Sequence, residues 1–339
     1  MNKKFPFYLP KVSDALNGIS AVWRQAASLS PAMYKNKSSH TKALIALALV
    51  CFFWGTTWVA SKQGVKYMPP LQLAGIRQSL GGLVYIIYFL FKGAGFPKGK
   101  EWWPILVLSF LNFMLSNVLS TWGVQYISAG LGSIIGAIFP LWLVIISLFG
   151  SQATTNRKTA MGLALGFTGI CVVFYQYLQD FLNADFRFGI FLSVISTWSW
   201  AFGTLYTKQQ ATKFNPYFAL GLQMVISGPF VYFISHITHH TIPFAQIPWQ
   251  SWAAIAYLVV FGSVISFMAY LYALQRLPTE QASLYAYINP VVALLIGALF
   301  FSEKLTLIMA IGVCITLFGV RLVNNAAKEE ETSMVNRES

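Results

Sequence analysis

The sequence is dominated by long apolar runs separated by short polar gaps. A helix crosses a bilayer when roughly 20 mainly apolar residues follow one another. Ten runs of that kind occur, at about 43–61, 72–92, 103–122, 128–149, 158–177, 187–207, 217–236, 251–273, 280–300 and 306–324. With 56% hydrophobic and only 10% charged residues over 339 positions, too few charges exist to coat a soluble surface. Soluble domains carry about 25%. The expectation is an all-α membrane protein with ten transmembrane helices. The lipid bilayer is then its main solvent.

The excess of 13 positive charges does not point to nucleic acid, because Lys and Arg sit in the gaps between apolar runs. Loops on the cytoplasmic face collect such residues. With both termini inside, 18 of the 23 Lys and Arg face the cytoplasm, four face out, and Arg77 lies within a span. Residues 1–41 form a cytoplasmic leader without the features of a signal peptide. Its stretch 12–29 has apolar residues at helical spacing, which suits an amphipathic interfacial helix, a disordered leader, or a start at Met33 rather than Met1. The tail 326–339 is polar, and disorder is expected there. Cys51, Cys171 and Cys314 all lie inside apolar runs, without metal-ligand or disulfide spacing.

The chain also repeats itself. At an offset of 146, Trp54 meets Trp200, Lys62 meets Lys208, Pro70 meets Pro216, Gly75 meets Gly221 and Gly82 meets Gly228. At 150, Ser133 meets Ser283, Pro140 meets Pro290, Gly162 meets Gly312 and Gly169 meets Gly319. The reading is two five-helix units, 42–177 and 187–325. Five is odd, so the second copy enters the membrane from the opposite side. Inverted repeats suit alternating access, since exchanging the conformations of the halves exchanges the open side.

Certain motifs resemble a known family. Phe53-Trp54-Gly55-Thr56-Thr57-Trp58, Pro69-Pro70 with Ala74-Gly75-Ile76-Arg77, and Asn289-Pro290-Val291-Val292 with Glu303-Lys304-Leu305 are similar to EamA-type transporters of the drug/metabolite transporter superfamily. That resemblance implies ten helices, a bacterial inner membrane and movement of small metabolites, often as export. Amino acids, related metabolites and toxic compounds are among the substrate classes it implies. One position departs from the family pattern. The first-repeat equivalent of Glu303 is Ala153 rather than an acid.

For a substrate site between the two units, the candidates are Trp54, Arg77, Trp200, Tyr287 and Asn289. Arg77 is a charge within a span and must face protein or water; it suits an anionic group or an interfacial position. The tryptophans suit either a cavity wall or interhelical packing. Lys62, Pro140 and Pro290 are the gate or hinge candidates, and Glu303 the candidate for coupling. Lys62 and Lys208 also complement helix C-termini. Glu280 and Gln281 are read as helix caps. Asn112, Asn117, Ser263 and Ser266 either hold helices together or line a pathway. The cluster His236, His239 and His240 lacks acid or thiol partners. No nucleophile–base–acid set and no phosphate loop is present, so no enzyme activity, metal or other cofactor is expected. A membrane enzyme on lipid-linked substrates, a receptor and a channel are the rivals. The small-molecule partner is a metabolite, and the chain is a monomer or homodimer.

Overall fold

The computed structural model describes residues 37–148, 157–210, 214–277, 282 and 285–338. The leader stretch 12–29, Ala153, Glu280 and Gln281 lie outside these residues, as does the side chain of Lys208. Among the described residues the secondary structure is helical throughout. Seven helices are long and apolar enough to cross a membrane, and three shorter apolar helices accompany them.

In chain order these are α1 (Lys37–Gly64), α2 (Pro70–Phe91), α3 (Gly99–Tyr126), α4 in two pieces (Ala129–Ala137 and Phe139–Leu148) and α5 (Arg157–Tyr175). Then follow α6 (Ala184–Gln210), α7 (Pro216–Ile237), α8 (Trp249–Leu274), α9 (Tyr285–Phe301) and α10 (Leu307–Glu338). Local chemistry sets several starts. Pro70 and Pro216 occupy first helical positions, where a missing N–H costs nothing. Asn215 accepts from the Tyr217 and Phe218 amides, Ser128 from Leu131, and Thr306 from Met309. The two repeat-matched prolines differ in effect. Ile138 is a turn that splits α4 just before Pro140, whereas α9 runs through Pro290.

The tail departs from expectation. Instead of disorder over 326–339, α10 continues to Glu338. Ala, Lys and Glu dominate there, and these are strong helix formers added to an already nucleated helix.

Helices α2 and α7 pack closely, as do α5 and α10, and both crossings are made by the repeat-matched glycines. A Cβ on Gly75 would lie 3.0 Å from the Gly228 carbonyl oxygen, and one on Gly228 2.9 Å from that of Gly75. Gly82 and Gly221 face each other in the same way, at 2.8 and 3.2 Å. In the second crossing, Gly162 meets Gly319 (2.9 and 2.7 Å) and Gly169 meets Gly312 (2.6 and 2.8 Å). Small residues let backbones approach where lipid supplies no hydrophobic drive between helices.

Two stretches inside the long helices widen to π-helix. Ser109–Asn117 in α3 and Leu258–Ile265 in α8 are π-helical, and they stand at matching places under the 150-residue offset. Wider turns disturb the backbone ladder and favour functional positions. Side chains from neighbouring helices take up the carbonyls. Tyr85 Oη donates to Ser263 O (3.1 Å) and Val264 O (2.7 Å). Ser199 donates to Leu111 O at 2.8 Å and Ser196 to Ser116 O at 2.7 Å.

Polar contacts gather the helix ends. Gln72 exchanges two bonds with the Ile242 backbone, Ser251 donates to Gly64 O, Lys62 to Gln125 O, and Thr306 to Gln176. We call this the Lys62 end. At the other end, called the Lys100 end, Phe89, Phe96, Phe214 and Phe218 cluster.

Candidate functional site

Between these ends lie two cavities in series. One, of about 140 Å³, is lined by Trp54, Arg77, Trp200 and Asn289 together with hydroxyls and amides of α1, α3, α4 and α6, reaching toward Ser61 and Thr121 at the Lys62 end. We call it the Arg77 cavity. The second, of about 230 Å³, is lined mainly by apolar side chains and reaches Lys100, Glu101 and Pro216. Asn112, Trp200 and Phe267 line both, so these three side chains form the wall between them.

Two of these three are aromatic, and further rings pack around them. Trp54 meets Trp200 edge-on at 5.9 Å between ring centroids, and also contacts Tyr270 (5.0 Å), Tyr285 (5.1 Å) and Phe267 (5.2 Å). Edge-on packing suits the quadrupoles of the rings. Polar handles fix the tryptophans. Trp200 Nε1 donates to Tyr285 Oη at 3.2 Å, and Trp54 Nε1 reaches the Gly262 carbonyl in the α8 π-segment at 3.4 Å. The repeat-matched tryptophans thus meet beside the boundary of the two cavities. The 146-residue offset matches them as equivalent positions; their contact comes from the fold.

Four of the five substrate-site candidates come together in the Arg77 cavity, and Tyr287 does not. Tyr287 packs with Ile138, Leu141 and Val320. Tyr285 stands in the cavity instead, because two positions along a helix turn the side chain by roughly 200°. Asn289, with its amide oriented by its neighbours, donates to Cys51 O at 2.9 Å and Tyr285 O at 3.1 Å, tying α9 to α1.

Arg77 is 5% exposed. Its Nε donates to Ser263 Oγ at 3.1 Å. Among the described residues no acidic side chain pairs with it, and none lines the Arg77 cavity.

Lys62 and Glu303 serve the helix ends. Lys62 Nζ donates to the Gln125 carbonyl at 3.2 Å. Glu303 lies outside both cavities and accepts from the Ala129 amide (2.9 Å) and the Gly130 amide (3.1 Å), the first turn of α4. A positive φ of 57° at Ser302 turns the chain back, and Gly297 leaves room for the carboxylate. A carboxylate here satisfies free N–H groups and complements the helix dipole. Glu303→Gln is therefore expected to lower stability by about 1 kcal/mol. Thermal unfolding of the purified protein checks this; an unchanged midpoint refutes it.

The sequence reading missed Phe267, Tyr270 and Tyr285, which are ordinary apolar-run residues by composition. It also missed the capping by Glu303. His236, His239 and His240 belong to no group of three or more His, Cys, Asp or Glu able to hold a metal among the described residues.

The family described as the EamA-like transporter family matches this chain twice, over residues 41–175 and 187–325. An uncharacterized transporter, YvbV of Bacillus subtilis, is 27% identical over 298 residues, covering 87% of this chain and 95% of the relative. The uncharacterized inner membrane transporter YedA of Escherichia coli K12 is 29% identical over 284 residues, covering 83% and 89%. A solved crystal structure covers 86% of this chain and 99% of its own at a TM-score of 0.62 and 16% identity, a likeness of fold.

Proposed function

The chain belongs to the EamA-like transporter family, and from that premise we propose a secondary carrier that moves a small organic metabolite across the bacterial inner membrane by alternating access. The two cavities in series, parted by Asn112, Trp200 and Phe267, carry this reading. A channel needs a continuous pore; a carrier needs a site reached from one side at a time. In the proposed layout ten helices form two inverted five-helix repeats, with both termini cytoplasmic. The Lys62 end then faces out and the Lys100 end faces in. Glycine crossings that exchange under the repeat offsets, and two separate family matches, support it.

Substrate contact falls to Trp54, Arg77, Trp200, Tyr285 and Asn289. Pro140, where α4 is split, is the hinge. We assign the direction as export, of amino acids or related compounds. A second reading, efflux of toxic or drug-like compounds, is favoured by the largely apolar walls of the cavity at the Lys100 end.

Counterflow in lipid vesicles tests the carrier. Preloading with a transported metabolite should accelerate entry of the labelled compound and saturate with concentration. Flux that neither saturates nor responds to preloading would indicate a channel. No flux across a broad metabolite panel, with folded protein, would refute transport.

A further inference from the structure

Among the described residues, the Arg77 cavity holds a cation without a counter-charge. The sequence has ten Asp and Glu residues, and none lies between Asp14 and Glu101, between Glu101 and Asp180, or between Asp185 and Glu280. Among the described residues, the helices that build the cavity wall around Arg77 therefore present no acid to it. An arginine stays protonated in proteins, and burying its charge is unfavourable without a partner. Ser263 takes only Nε. Thr57, Ser116, Asn117 and Ser133 add donors and acceptors, while Trp54, Phe139 and Trp200 offer ring surface.

We propose that this cavity takes a small organic anion, a carboxylate bonded by the Arg77 guanidinium with its apolar or aromatic body against Trp54, Phe139 and Trp200. The proposal rests on the carrier reading and narrows its substrate to solutes of net negative charge, so that of amino acids and related compounds it keeps those with a net negative charge and sets the neutral zwitterions aside. Guanidinium and carboxylate match in geometry as well as charge. An ammonium group, by contrast, finds no carboxylate in this cavity.

The same charge supplies a driving force. Arg77 is cationic whether the site is empty or loaded, so each turnover moves one net negative charge with the solute. Bacterial membranes are negative inside, and 100 mV sustains roughly a 50-fold concentration ratio of a monovalent anion. Export then needs neither ATP nor an acidic proton relay. A zwitterion would feel no such force.

The test uses the full chain in lipid vesicles with a potassium diffusion potential. The probes are aromatic and aliphatic monocarboxylates, their amides, the matching amines, and zwitterionic amino acids. A carboxylate should move at least about tenfold faster than its amide. Its flux should rise when the far side is made positive and fall when the sign is reversed. Arg77→Gln should bring the carboxylate-to-amide ratio near one, and Arg77→Lys should restore part of it. If Arg77→Gln does not fold, the wild-type comparison and the potential dependence decide alone. An amide, amine or zwitterion that moves as fast as the acid, or acid flux blind to potential, overturns the anion proposal and leaves the carrier standing. Tryptophan quenching by the acid and not by its amide, without any flux, supports the anion site and overturns the carrier. Neither flux nor quenching overturns both.

Discussion

Replacing Gly169 by leucine is expected to abolish recovery of folded protein. A Cβ at this position would clash with the Thr316 amide nitrogen and hydroxyl, and sit 2.6 Å from the Gly312 carbonyl oxygen. Two of these atoms are backbone of α10, so no rotamer change relieves the clash. The helices must separate, and separation undoes the close packing that holds them in lipid. Gly169→Ala is expected to cost about 1–3 kcal/mol, as overpacking does elsewhere. Gly169→Leu adds three more carbons to the same gap. Size-exclusion profiles and thermal unfolding in detergent check both. Gly95→Ala is the control, because nothing lies within 4 Å of a Cβ there. It should fall within about 0.5 kcal/mol of wild type. If Gly169→Leu behaves like Gly95→Ala, the crossing does not hold α5 to α10.

The second large effect is expected at the wall between the cavities. Trp200→Ala removes the ring that faces Trp54 at 5.9 Å, Phe267 at 6.1 Å and Tyr270 at 6.1 Å, and deletes the bond to Tyr285 Oη. The two cavities then merge. Coupled exchange needs a substrate to be reachable from one side only, so the variant should lose counterflow stimulation by at least about tenfold. Downhill leakage of small solutes should rise. Trp200→Phe keeps a ring and loses the donor, and should retain part of the coupling. Truncating a buried aromatic costs about 3–5 kcal/mol in a closely packed core. The half-buried Trp200 should cost less, so folding should survive. Stimulated counterflow equal to wild type in Trp200→Ala would show that the wall does not gate.

How much of this was legible from the chain depended on the type of signal. Ten apolar segments followed from length and composition, because hydrocarbon thickness leaves few alternatives. Glycines at matched offsets marked the repeat, but which glycine meets which across a crossing follows only from the packing. Trp54 and Trp200 stood out through size and rarity as repeat equivalents, and their mutual contact is a matter of packing. Tyr287 was assigned to the site and Tyr285 was not, for a physical reason. A helix that is apolar all round has no stripe to say which face is inward. Both tyrosines look alike in sequence, and packing alone separates them. Glu303 was harder still. Its partners are backbone amides some 170 positions away, and a backbone amide has no sequence signature. The π-segments were invisible for a related reason, as the partners of their carbonyls come from other helices.

The glycine crossings have a consequence for how such a chain arises. Gly75 meets Gly228 while Gly82 meets Gly221, and the repeat offset converts one pair into the other. In a chain duplicated as proposed, that is an isologous contact, the kind made by two identical subunits about a twofold axis. A single five-helix ancestor able to insert in both orientations would already have possessed this surface as a dimer. Fusion then changed little in the contact itself. It tethered the partners, raising their effective concentration, and it freed each half to diverge. Arg77 opposite Gln223 in the repeat alignment is one product of that freedom: a charge on one side only, which no symmetric dimer could carry.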